Sequence, residues 1–114
     1  MGQIGELVEE PGGVVVRLHG DVDLATAEPL RHLLRAAESR QARRIVVDLS
    51  DVAFMDVQSL SAVLATADSL GEGGRSLVIR GASRALRRVC ALLNADDVLA
   101  PEIWGVTGPA AAAS

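Results

Sequence analysis

Apolar residues in this chain switch between two spacings, and the switching limits the fold more than any other feature. Val14, Val16 and Leu18 alternate with Val15, Arg17 and His19, the period of a strand. Leu30, Leu33, Leu34 and Ala37 then recur along one helical stripe, with Arg31, Arg35 and Glu38 turned away. The strand period returns over Ile45 to Leu49, and a helical stripe over Leu60, Val63, Leu64 and Ala67. A strand over Leu77 to Ile79 and a last stripe of Leu86, Val89, Cys90 and Leu93 follow. Strands separated by helices imply parallel pairing through right-handed crossovers. A weaker run, Gln3 to Glu10, comes first, and Pro11-Gly12-Gly13 makes it one arm of an antiparallel hairpin. The predicted order is ββαβαβα. This is an α/β fold with a mixed four- to five-stranded sheet and helices packed against it. Val98 to Trp104 is the candidate fifth strand, or a turn.

Stop and start signals agree with that order. Gly20 to Ala25 crosses from the second strand to a helix. Thr26 is placed as its N-cap, with Glu28 and Pro29 in the first turn. Asp56 is the expected N-cap of the second helix and Ser83 of the third. Gly71 to Gly74 ends the second helix, and Asn94 stops the third. Residues 1–104 are expected to form one domain. Residues 105–114, which end in four alanines and Ser114, read as a mobile tail.

A length of 114 residues suits one core, and 49% apolar residues suffice to fill it. That core must be aliphatic, because there is one Phe, one Trp and no Tyr. Scarce aromatics count against base stacking, and a net charge of −4 counts against a nucleic-acid footprint. All 11 basic residues are Arg. A single cysteine, Cys90, excludes an intramolecular disulfide and any multi-cysteine metal cluster. No apolar run nears the length of a membrane span and no signal-like N-terminus is present, so a cytoplasmic protein without membrane insertion is expected.

Three segments in this order resemble one family. Gly20-Asp21-Val22-Asp23-Leu24-Ala25-Thr26-Ala27 looks like the segment that opens the first helix of STAS domains. Val46 to Asp56, reading VVDLSDVAFMD, resembles their central strand and following loop. Gly74 to Gly81 and Ser83 to Leu93 resemble the last strand and helix. The resemblance covers roughly residues 5 to 100 and includes the anti-sigma factor antagonists. Such antagonists bind an anti-sigma factor that is also a serine kinase, and phosphorylation of a serine after the loop aspartate ends the capture. The family pattern at that point is Asp-Ser-Ser-Gly. Here it reads Asp56-Val57-Gln58-Ser59, so the acceptor position carries an amide with no hydroxyl.

The resemblance therefore implies a non-enzymatic protein-binding module without the usual phosphate switch and without a cofactor. Its partner would be an anti-sigma factor or serine-kinase-like protein, met through Asp23, Asp56, Val57, Gln58 and Ser59. A STAS subunit of a transporter ATPase or of a stress-signalling scaffold is the alternative. Oligomeric state is left open. Ser59 is a secondary candidate acceptor, although a solvated first-turn serine is the simpler reading.

The remaining chemistry-bearing residues have plain explanations. Asp56 also serves as a helix cap whatever else it does. Asp21 and Asp23 are spaced like paired carboxylates, but turn and cap roles suffice, and no metal site is expected. His19 and His32 are lone surface or strand-end residues, and Cys90 is a small core residue. Arg84, Arg87 and Arg88 form a solvated face. The glycines before Ser76 precede a strand, whereas a phosphate-cradling loop would follow one.

Overall fold

The computed structural model describes residues 4–100. Its strands are β1 (Gly5–Glu10), β2 (Gly13–Val22), β3 (Arg44–Met55) and β4 (Ser76–Arg80). Its α-helices are α1 (Ala27–Glu38), α2 (Val57–Glu72) and α3 (Arg84–Leu92), with short 3₁₀ turns at Leu24–Thr26 and Asp96–Val98. The sheet order is β1-β2-β3-β4. β1 pairs antiparallel with β2, and β2, β3 and β4 run parallel. The expected order and the mixed sheet are present with four strands. Among the described residues the fifth reduces to an isolated parallel bridge between Ile79 and Leu99, followed by a hydrogen bond that the Ala100 amide donates to the Ile79 carbonyl. Residues 101–104, including Trp104, and the tail at 105–114 lie outside the described residues, as does Gln3.

One face of the sheet holds the core. Val14, Val16 and Leu18 of β2, Ile45, Val47 and Leu49 of β3, and Leu77 and Ile79 of β4 are all buried there. Leu30, Leu34 and Ala37 of α1, Leu60, Val63 and Leu70 of α2, and Cys90 of α3 close over them. Parallel strands in simple sequential order place both crossover helices on one face. α1 lies over β1 and β2, and α2 lies against β4. Burial pushes the Cys90 thiol above its ordinary value, with opposing effects from Arg87 and Asp96, so Cys90 behaves as the small core residue expected.

The structure corrects four details. β2 and β3 run well past His19 and Leu49, because two register shifts, between Arg17 and His19 and between Gly20 and Asp21, break the side-chain alternation without ending the pairing. Gly20 takes a φ of +75° within this irregular stretch, a conformation that glycine adopts freely. Thr26 is the N-cap residue of α1 as expected, but its side chain makes no cap bond there; its hydroxyl belongs to the preceding turn. Gly71 lies inside α2, and the helix stops at Gly73 and Gly74 instead. Leu93 falls off the α3 stripe. It is the C-cap, 47% exposed, and Asn94 follows in the left-handed region.

Candidate protein-docking site

β2 and β3 end side by side, with Val22 opposite Met55. Each strand then runs into a helix start. Asp23 caps the first. Its Oδ1 accepts the Ala25 amide at 3.0 Å, while its own amide donates to Thr26 Oγ1 at 2.9 Å, a reciprocal capping box. Asp56 caps the second, its Oδ1 accepting the Ser59 amide at 2.8 Å. Hydrogen bonds from the Ser59 hydroxyl and amide hold the Asp56 carboxyl below its ordinary value, against a smaller rise from burial. The nearby Leu24 amide lowers it slightly further.

Around these caps the surface is apolar. Leu24 is 75% exposed, Phe54 55% and Val57 56%. Large apolar side chains in the open normally scatter singly, whereas these three fall within four residues of the two helix starts. Phe54 sits opposite Asp21 across the strand pair, Leu24 follows the Asp23 cap, and Val57 opens α2. A groove of about 150 Å³ runs between the starts of α1 and α2, lined by Leu24, Leu30 and Gln58 among others. A second hollow of about 320 Å³ lies between the end of β3 and α3. Phe54, Met55, Leu86 and Val89 line it.

The residues singled out by sequence come together here. Asp23 is partly buried as a cap, Asp56 likewise, and Val57 and Gln58 are exposed. Ser59 differs from its expected solvated state. It is only 4% exposed, because the third helical position points back toward α1 while its hydroxyl engages Asp56. Leu24 and Phe54 were missed as site residues. The signal was present: each is a large apolar residue set among acidic turn residues, in Asp23-Leu24 and in Phe54-Met55-Asp56.

His19 and His32 are exposed. Among the described residues, no group of His, Cys, Asp or Glu is placed to hold a metal ion. Among them, too, no helix is long and apolar enough to cross a membrane. Arg84 and Arg88 are exposed, whereas Arg87 is half-buried and donates to the Ala100 carbonyl at 3.4 Å.

A family model described as "Mlab, STAS domain" matches residues 6–101. The chain belongs to the STAS domain family. Among solved structures, an anti-sigma factor antagonist from Mycobacterium paratuberculosis is 27% identical. It superposes with a TM-score of 0.76, covering 87% of this chain and 86% of that one. The Bacillus cell fate determinant SpoIIAA in its phosphorylated form is 22% identical, with a TM-score of 0.70 over 90% of this chain and 96% of that one. SpoIIAA in its unphosphorylated form gives 23% identity and a TM-score of 0.66, over 77% of this chain and 82% of that one. At these lower identities the SpoIIAA likeness speaks for the fold. This STAS domain thus shares the architecture of proteins described as anti-sigma factor antagonists.

Proposed function

We propose that this STAS domain is a non-enzymatic regulatory module that docks an anti-sigma factor or serine-kinase-like protein in the cytoplasm. The contact surface would be the paired helix starts, with Leu24, Phe54 and Val57 as apolar anchors and Asp23, Asp56 and Gln58 as the polar rim. The observation that carries this reading is the exposure of those three large side chains around two capped helix starts. A buried apolar centre with a polar surround is how protein interfaces gain their energy. The shared architecture with an anti-sigma factor antagonist 27% identical supports the choice of partner class.

The same surface would lack the phosphate switch. A phosphoserine at the second helical position would add roughly −1.5 to −2 of charge to the contact face. Gln58 stands exposed at that position and carries no hydroxyl. Ser59 is buried against Asp56, where a phosphate would meet a carboxylate. Capture would therefore be constitutive.

Affinity capture from extracts of the source cells, followed by mass spectrometry, tests this reading. An anti-sigma factor or serine kinase retained by the native chain and lost with Val57→Arg or Leu24→Arg is the expected result. Equal retention by all three chains overturns the assigned surface. Stoichiometric phosphate on Ser59 after incubation with the captured kinase and ATP overturns constitutive binding.

A further inference from the structure

The sheet has a second face, away from the helices, and three rows of side chains cross it in register. Val8, Val15, Val46 and Val78 are successive partners across β1, β2, β3 and β4, and they form the middle row. Glu6, Arg17, Asp48 and Arg80 form the next row toward the ends of the parallel strands. Glu10, Gly13, Arg44 and Ser76 form the row on the other side. None of the four valines belongs to the core cluster that all three helices enter, and none packs against it. Val15 is buried, and the other three are half-buried.

We infer that this face pairs with the same face of a second copy of the chain. The order of charges is the reason. Across the sheet the row of Glu6, Arg17, Asp48 and Arg80 reads minus, plus, minus, plus. Within it Arg17 lies 3.8 Å from Glu6, and Arg80 lies 3.0 Å from Asp48. A two-fold axis parallel to the strands, between β2 and β3, keeps every row at its own level and reverses its order. Glu6 then faces the partner's Arg80, and Arg17 faces the partner's Asp48, each contact occurring twice. The valine row falls on the partner's valine row. Gly13, with no side chain, falls opposite the partner's Arg44 and leaves room for it. A two-fold axis perpendicular to the strands through the valine row would instead set Glu6 against the partner's Glu10, Arg17 against the partner's Gly13 and Arg80 against the partner's Ser76, leaving Asp48 on the partner's Arg44 as the one opposite-charge contact. One rotation thus satisfies the charged row, the apolar row and the glycine together, which is the self-complementarity an isologous contact requires.

Twisted sheets pack face to face in this aligned way, roughly 10 Å apart. Four strands about 4.8 Å apart and five residues at about 3.3 Å each give a plan area on the order of 300 Å². A standard interface buries roughly 800 Å² per partner. The dimer is therefore weak and concentration-dependent, and salt loosens it because Glu6 and Arg17 stay partly exposed. The surface is separate from the helix starts at Asp23 and Asp56, so dimerisation and partner capture are read independently.

Sedimentation equilibrium of the full chain, from micromolar to millimolar concentration, tests the inference. The native chain is expected to shift from monomer to dimer across that range. Glu6→Arg and Arg80→Glu each place like charges opposite one another twice, and each alone is expected to weaken dimerisation about tenfold or more. An equal mixture of the two variants restores opposite charges at every contact and should associate like the native chain. Circular dichroism melts establish that each variant is folded. Should Arg80→Glu unfold beside Asp48, Val8→Arg on the edge strand replaces it as a variant that must stay monomeric. A native chain that is monomeric throughout, variants that dimerise normally, or a mixture that fails to associate would overturn the proposal.

Discussion

The amide of Asp56 donates to the carbonyl of Val22 at 3.1 Å, which fastens the start of α2 to the end of β2. The Asp56 carboxylate meanwhile caps α2 through the Ser59 amide. Replacing Asp56 by Ala removes the cap and leaves the backbone bond, so a lower urea midpoint with an unchanged circular dichroism spectrum is expected. Asn is an equally good N-cap. Asp56→Asn should keep the midpoint near native, and any loss of partner capture in that variant then reports on charge at the proposed docking surface.

Acid should weaken the fold through two carboxylates. Burial raises the Asp48 carboxyl, but hydrogen bonds from the Ser50 hydroxyl and amide, together with Arg80, outweigh it and leave the group below its ordinary 3.8. Asp56 is likewise lowered. A folded value below the unfolded one means that the stabilisation is fully present above the unfolded value. It is lost as pH falls through the folded one. Urea unfolding at a series of pH values should show stability declining below about pH 4, where unfolded carboxyls begin to bind protons that the native ones refuse. The slope should flatten in Asp48→Asn.

Gly81 joins β4 to the cap of α3 with a φ of +77°. A Cβ there would lie 2.3 Å from the Ser50 hydroxyl oxygen and 2.8 Å from the Ser50 amide nitrogen. Gly81→Ala combines left-handed backbone strain with a collision against β3, for an expected loss of about 1–3 kcal/mol. Chemical denaturation measures it directly. A variant as stable as the native chain would mean that the turn relaxes at no cost.

On the proposed reading, a hydroxyl at position 58 should make partner capture sensitive to phosphate. Gln58 is exposed at the second position of α2, and its neighbour Ser59 is held away from solvent. Gln58→Ser, incubated with the captured kinase and ATP, is expected to take up one phosphate and then release its partner. Mass spectrometry and a repeat of the capture follow both steps.

Much of this was legible in the sequence, and the misses share a cause. The helices were readable because Leu30, Leu34 and Ala37, or Leu60 and Val63, repeat at a spacing that only a helix turns to one side. β3 was cut short at Leu49 because the bulges opposite Arg17–His19 and Gly20–Asp21 shift the alternation: Val52, between them, packs against the core out of phase with Ile45 and Val47, and only after the second does Met55 return to their phase. The motif around Asp56 placed the helix start correctly, since its capping chemistry is local. The burial of Ser59 was not a local property. It depends on how closely α1 stands to α2, which no spacing within either segment records.

The unequal lengths of the central strands have a further result. β3 pairs with β4 only as far as Asp48, yet stays paired with β2 through Met55. The last stretch of β2 and β3 is thus a two-stranded arm that projects past the four-stranded body and carries Phe54 and both aspartate caps at its tip. Exposed side chains on such an overhang, Phe54 among them, can therefore be exchanged without disturbing the four-stranded body, whereas Val22 and Met55 of the same arm are buried in the core and tie its base to the fold.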